Sequence, residues 1–183
     1  VGLYRPLAEA NPAQQPDLAA ALTNLGDKLF GLGRYPEALA ASEKAVGLYR
    51  PLAEANPHHQ SHLAQALTNL GGCLFRLGRY PEALATFEEA VGLYRPLAEA
   101  NPAHQSHLAP ALINLGTCLT TLGRDQEGLA ARKEAVGMWR RLAQSDPDQY
   151  QEIYNRELAG LRRDLSLRGQ AADSIRLHLV TRP

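Results

Sequence analysis

The chain repeats itself every 45 residues, and that period limits the fold more than any local signal. Val1, Val46, Val91 and Val136 mark it. The central copy, LTNLGGCLFRLGRYPEALATFEEAV from Leu67 to Val91, returns as LTNLGDKLFGLGRYPEALAASEKAV from Leu22 and as LINLGTCLTTLGRDQEGLAARKEAV from Leu112. A tandem repeat of this length is one supersecondary unit that buries its apolar face against the next copy. Such a chain needs no single compact core.

Within a unit, Leu63, Leu67, Leu70, Leu74 and Leu77 step by four and three, which predicts an amphipathic helix. Gly78 suits the left-handed residue that ends it, and Pro81 suits the first turn of a second helix. That second helix carries Tyr80, Ala83, Leu84, Phe87, Ala90, Val91 and Tyr94 on one face. Gly71 and Ala83 lack bulk where the two helices are expected to cross. Asn11-Pro12, Asn56-Pro57, Asn101-Pro102 and Asp146-Pro147 mark each restart, with Asn or Asp as the cap and Pro in the first turn. Gln14 and Gln149 stand where they would complete a capping box, and Pro16 is expected to delay the first helix. Pro6, Pro51 and Pro96 predict a bend or break near Arg50 and Arg95, while Arg141 in the last copy predicts a straighter helix.

Leu70-Gly71, Leu74, Gly78, Tyr80, Ala83, Phe87 and Ala90 together resemble the tetratricopeptide pattern in order and spacing. The same frame recurs as Leu25-Gly26, Leu29, Gly33, Tyr35, Ala38 and Ala45, and as Leu115-Gly116, Leu119, Gly123 and Ala135. The basic unit of that family is ~34 residues. The longer unit found here is similar to the repeats of kinesin light chains and of bacterial multidomain signalling proteins. The resemblance implies an all-α solenoid of antiparallel helix pairs wound into a right-handed superhelix. The expected units are residues 11–55, 56–100 and 101–145, preceded by the tail of a truncated unit at 1–10 and followed by a diverged capping unit at 146–183. The third unit weakens, with Asp125, Gly128 and Arg132 in place of Tyr, Ala and Phe. The fourth keeps Leu161, Leu165, Gly169, Ser174 and Ile175 in phase only with one residue inserted, and it puts Arg162 where the small Gly stood.

Composition narrows the class of function. The 183 residues are 45% apolar and carry 19 basic and 19 acidic side chains, so no basic excess points to nucleic acid. No run approaches the ~18 apolar residues of a membrane span. Cys73 and Cys118 occupy equivalent positions one repeat apart and are expected as reduced, semi-buried thiols of a cytoplasmic protein. Arginine outnumbers lysine, which suggests a GC-rich bacterial source. No GxxxxGK[ST], GxSxG, HExxH or CxxC occurs, and identical copies do not converge the unlike groups that catalysis needs. The expectation is a protein without enzymatic activity or cofactor.

The candidate binding row is Asn24, Asn69 and Asn114, because an amide offers both donors and an acceptor to an extended peptide. The resemblance places this position on the concave wall of the first helices. Thr23, Thr68, Asp27, Phe30, Phe75, Arg76, Thr117 and Thr120 extend the row. The expected partner is a protein or peptide in that groove. Alternative readings are a ligand-sensing domain of a larger bacterial signalling ATPase or effector, and an array that self-associates through its truncated N-terminal face. His58, His59 and His62, with His104 and His107, have spacing that can hold a metal, but no Cys, Asp or Glu completes a site, so exposed histidines without metal are expected. Tyr4, Tyr49, Tyr94 and Trp139 form an aromatic column read as packing. Arg5, Arg50, Arg95 and Arg140 beside it are expected on a solvated face, with Glu9, Glu54 and Glu99 four residues on to neutralise them. Thr181–Pro183 are expected to fray. Gly71→Leu is expected to cost ~1–3 kcal/mol by overpacking the helix crossing, measured as a lowered thermal melt; a melt like the parent's counts against that crossing.

Overall fold

The computed structural model describes residues 14–167. Seven α-helices run through them: α1 (Gln15–Gly31), α2 (Tyr35–Ala55), α3 (Gln60–Arg76), α4 (Tyr80–Ala100), α5 (Gln105–Thr121), α6 (Asp125–Ser145) and α7 (Pro147–Leu167). Short 3₁₀ turns at Pro57–His59 and Pro102–His104 precede α3 and α5. The truncated tail at 1–10, the Asn11-Pro12 restart, Gly169, Ser174, Ile175 and Thr181–Pro183 lie outside the described residues.

The helices pair as expected, α1 on α2, α3 on α4 and α5 on α6, and each pair packs on the next. The fold is an all-α solenoid. The backbones of the first helices α1, α3 and α5 also approach one another in sequence, whereas those of the second helices α2, α4 and α6 do not. An array close-set along one row and splayed along the other must curve, so the first helices form the inner wall.

Each pair is joined by a three-residue turn. Gly33, Gly78 and Gly123 have φ of 73°, 77° and 78°, a conformation other residues adopt only at a cost. The Gly78 N–H donates to the Phe75 carbonyl at 3.0 Å and the Arg79 N–H to the Leu74 carbonyl at 2.9 Å, which satisfies two orphan acceptors of α3. Asn56 and Asn101 cap the 3₁₀ turns rather than the α-helices, accepting from the His58 and Ala103 N–H groups at 3.0 Å. At Asp146 only half of a capping box forms. Its carboxylate accepts from the Gln149 N–H at 3.1 Å, while its own N–H donates to the Leu142 carbonyl. Pro16 delays nothing. α1 begins at Gln15, in register with Gln60 and Gln105, because a Pro in the first turn forfeits no helical bond.

Pro51 and Pro96 do not break their helices. α2, α4 and α6 are all 21 residues long, although the last has Arg141 at this place. The ring removes one N–H bond close to the helix end. Tyr49 and Ala53, and likewise Tyr94 and Ala98, flank it and are buried, so packing holds the segment helical.

The crossings are set by glycine. A Cβ at Gly71 would lie 2.7 Å from the Phe87 ring, and one at Gly26 would lie 3.0 Å from the Ser42 hydroxyl. In the third pair both partners are glycine. A Cβ at Gly116 would meet the Gly128 carbonyl at 2.8 Å, where the first pair leaves 3.6 Å to the matching Ala38 carbonyl. A Cβ at Gly128 would meet the Gly116 carbonyl at 2.6 Å and the Thr120 hydroxyl at 2.5 Å. The expected weakening of the third unit is therefore, at this point, a tighter approach. Arg132 makes it possible, because it lays a flexible stem where Phe87 has a rigid ring.

The joints between pairs bury the aromatic column. Tyr49, Tyr94 and Trp139 are only 3%, 3% and 5% exposed. Tyr49 stacks on His62 at 5.7 Å and Tyr94 on His107 at 6.0 Å, and Trp139 packs at 6.0 Å from Tyr150. Burial pushes the Tyr94 phenol up, and burial with the neighbouring His104 pushes the His107 imidazole down. Among the described residues no group of three potential metal ligands exists. Arg50 and Arg95 stand half-exposed as expected and feel the charges of Glu54 and Glu99. Their hydrogen bonds go across a joint, Arg50 to Glu89 at 2.5 and 2.8 Å and Arg95 to Glu134 at 2.6 and 2.9 Å. A planar guanidinium matches a carboxylate on the next helix with both N–H groups, which the residue four places on does not offer here. At the far end Tyr154, Leu158, Leu161 and Leu165 bury α7 against α6, and Arg132 pairs with Asp164.

Gly128→Ala restores the residue of the first two pairs and adds about 1 kcal/mol of helix propensity. Overpacking at the crossing costs ~1–3 kcal/mol, so the net effect is expected to be destabilising. Thermal unfolding followed by circular dichroism checks this, and a raised midpoint would refute the close approach.

Candidate functional site

On the inner wall, α1, α3 and α5 enclose an open cavity of about 250 Å³ lined by Gly26, Asp27, Phe30, Thr68, Asn69, Gly72, Cys73 and Asn114. Five of the sequence-derived residues meet there: Asp27, Phe30, Thr68, Asn69 and Asn114. Helical spacing puts Asp27 and Phe30 one turn apart on α1, and Asn69 one turn before Gly72 and Cys73 on α3.

The remaining candidates stand elsewhere. Thr23 is buried and its hydroxyl donates to the Ala19 carbonyl at 2.9 Å, so it faces its own helix. Asn24 is exposed on α1 outside the cavity. Phe75 is half-buried, edge-on to Tyr80 at 5.2 Å and packed on the core. Arg76 donates to the Tyr35 hydroxyl at 2.8 Å and lies over that ring, 5.1 Å from its centroid. Thr117 is exposed, with its hydroxyl given to the Ile113 carbonyl at 2.9 Å. Thr120 lies at the α5–α6 crossing against Gly128. Even Thr68, which lines the cavity, donates its hydroxyl to the Ala64 carbonyl at 2.8 Å. Thr23, Thr68 and Thr117 satisfy their own helices, and the Asn69 amide does not.

Asn69 is the open valence. Its side-chain Nδ2 is buried and has no hydrogen-bond partner. A buried donor left unpaired costs about 1–3 kcal/mol, so it marks a place for an acceptor. Asp27 is exposed on one side and lies against the cavity wall on the other. That partial desolvation raises its carboxyl above the ordinary aspartate range. Phe30 is 37% exposed and meets Tyr35 edge-on at 5.3 Å. Cys73 and Cys118 are free and buried rather than semi-buried, and burial pushes both thiols above the ordinary cysteine range.

Sequence reasoning missed Gly26, Gly72 and Cys73 as cavity residues. One signal was available for Gly72. Gly71 accounts for the helix crossing, and a second adjacent glycine in mid-helix costs about 1 kcal/mol for no gain inside its own unit. It faces Phe30 of the preceding unit, whose ring a Cβ would approach at 3.6 Å.

Two tetratricopeptide-repeat family models match the sequence, one over residues 18–59 and one over residues 42–103. No curated protein matches it. Among solved structures the chain is similar to one titled "Crystal structure of MamA", at 17% identity and a TM-score of 0.60, over 95% of this chain and 80% of that one. At this identity the similarity speaks to the solenoid fold alone. Among the described residues no helix is long and apolar enough to cross a membrane.

Asp27 carries a charge that burial disfavours, so Asp27→Asn is expected to hold or raise the thermal midpoint at neutral pH. The sign follows from the raised carboxyl. The cost is present above its folded-state titration and fades as pH falls, since below the unfolded value the group is neutral in both states. Melts of the two proteins are expected to converge toward acid; a variant less stable than the parent at pH 7 would contradict this.

Proposed function

This chain belongs to the tetratricopeptide-repeat family, and from that premise we propose that its inner wall holds an extended peptide or a partner helix. Repeats of this family make it a module for contact between proteins. The observation that carries the finer reading is the half-buried Asn69, whose buried Nδ2 has no partner, in a cavity built from three successive first helices. Its donor answers a carbonyl of another chain, and Asn114 on the next helix offers a second amide. Phe30 supplies apolar area beside them. Binding of this kind needs no covalent step: a row of polar contacts and one aromatic wall suffice for a reversible partner.

Asn69→Ala is expected to lower affinity for peptides selected on the intact protein from a displayed random library by about two- to thirteen-fold, the equivalent of one hydrogen bond. Its melt is expected to hold or rise, because the amide is an unpaired donor in the folded chain and Ala is the better helix former. Isothermal titration with the selected peptides measures the first and circular dichroism the second. Equal affinity for a peptide that competes at the groove would overturn the reading.

A further inference from the structure

The cavity's residues divide into those that repeat and those that do not. Asn24, Asn69 and Asn114 recur at the 45-residue period, whereas the position three residues on is Asp27, then Gly72, then Thr117. A recurring amide suits the recurring part of a ligand, its backbone. A side chain found in one copy only suits a ligand feature found once. We propose that this cavity selects the guanidinium or ammonium side chain of an extended peptide, with Asp27 as its counter-charge and Phe30 as its stacking wall. Asn69 then holds the adjacent peptide carbonyl.

This inference rests on the groove reading above and adds the chemistry of the ligand. Asp27 and the Asn69 amide are complementary: the carboxylate lines the cavity as an acceptor, and the buried Asn69 N–H beside it lacks one. One basic residue satisfies both, with its side chain on Asp27 and its carbonyl on Asn69. The Phe30 ring, 37% exposed and one helical turn from Asp27, lines the same cavity, and a carboxylate beside a ring is a stronger cation site than either alone. Arg76, the cation contributed by α3, is held by the hydroxyl and ring of Tyr35 rather than by Asp27. Cys73 adds no charge. Gly72 makes the space, since a side chain there would project beside Phe30. At about 250 Å³ the cavity falls below the ~300–1,000 Å³ of sites for whole small ligands and fits one side chain.

The test uses four blocked peptides, acetyl-Gly-Ser-Ala-X-Ala-Ser-Gly-amide with X as Arg, Lys, Leu or Glu. They are titrated into isotope-labelled protein while the Asn69 and Asn114 side-chain amide signals are followed by NMR. The Arg and Lys peptides are expected to shift Asn69 saturably and to bind about three- to ten-fold tighter than the Leu peptide, with the Glu peptide weakest. Asp27→Asn is expected to abolish that preference. Gly72→Thr places in α3 the residue that α5 carries at Thr117, and its Cβ meets Phe30 at an ordinary contact distance. It is expected to leave the melt unchanged and to remove binding. A Leu peptide bound as tightly as the Arg peptide, or an undiminished preference in Asp27→Asn, overturns the selectivity while groove binding stands. Peptides that leave Asn69 unmoved, whatever X is, overturn both.

Discussion

The closest contact inside each helix pair governs what lies outside it. Where Gly71 takes the Phe87 ring against its backbone, and where Gly116 and Gly128 put two backbones together, the second helix seats directly behind the first. The stripe that remains on the first helix must then face the next pair or the interior of the curve. Because the backbones of α1, α3 and α5 approach one another in a row while those of α2, α4 and α6 stand apart, that interior is a wall three helices wide. A bulkier residue at any crossing would rotate or lift one helix, and the wall's side chains would lose their shared register.

Joints between pairs combine a large apolar contribution with a small ionic one, and the apolar part wins. Burying a large side chain is worth roughly 1.5–3 kcal/mol, and each joint buries an aromatic ring from one pair under the helices of the next. The Arg50–Glu89 and Arg95–Glu134 pairs are bidentate but half-exposed, which limits each to about 0–1 kcal/mol. Their service is orientation. Both span the same interval of 39 residues, so each fixes one pair's angle on the next in the same way. His62 and His107, stacked on Tyr49 and Tyr94, add ring contacts at the same joints.

The inner wall departs from good helix practice at one place. Gly72 weakens α3, Asn69 buries an unanswered donor, and Asp27 holds a carboxylate against a partly dry surface. Each departure costs stability, and the three share one cavity. Ser42 Oγ and Trp139 Nε1 are also buried without a partner, but they lie at a helix crossing and a joint rather than on the inner wall. Thr23, Thr68 and Thr117 return their hydroxyls to their own backbones. Local rules tend to fail where a chain is shaped for something other than its own fold. That coincidence is why the cavity, rather than the whole row of candidates, carries the functional proposal.

Much of the architecture was legible in the residues because it is periodic. The 3.6-residue stripe, the glycine turns and the 45-residue return are local properties, and copying them leaves few ways to stack. What failed to read locally was decided by neighbours. Pro51 and Pro96 looked like breaks until the burial of Tyr49 and Tyr94 held their helices together, and Arg50 chose a carboxylate 39 residues away over one four residues away. The candidate row of amides and threonines was written in sequence, but its division was not. Which members reach a common cavity depends on how far each helix is turned about its axis, and that angle is set by packing against two other helices. The sequence alone therefore determined the unit and its repetition. Only the tertiary structure decided which side chains stand open, since exposure is a property of distances between helices that no single helix contains.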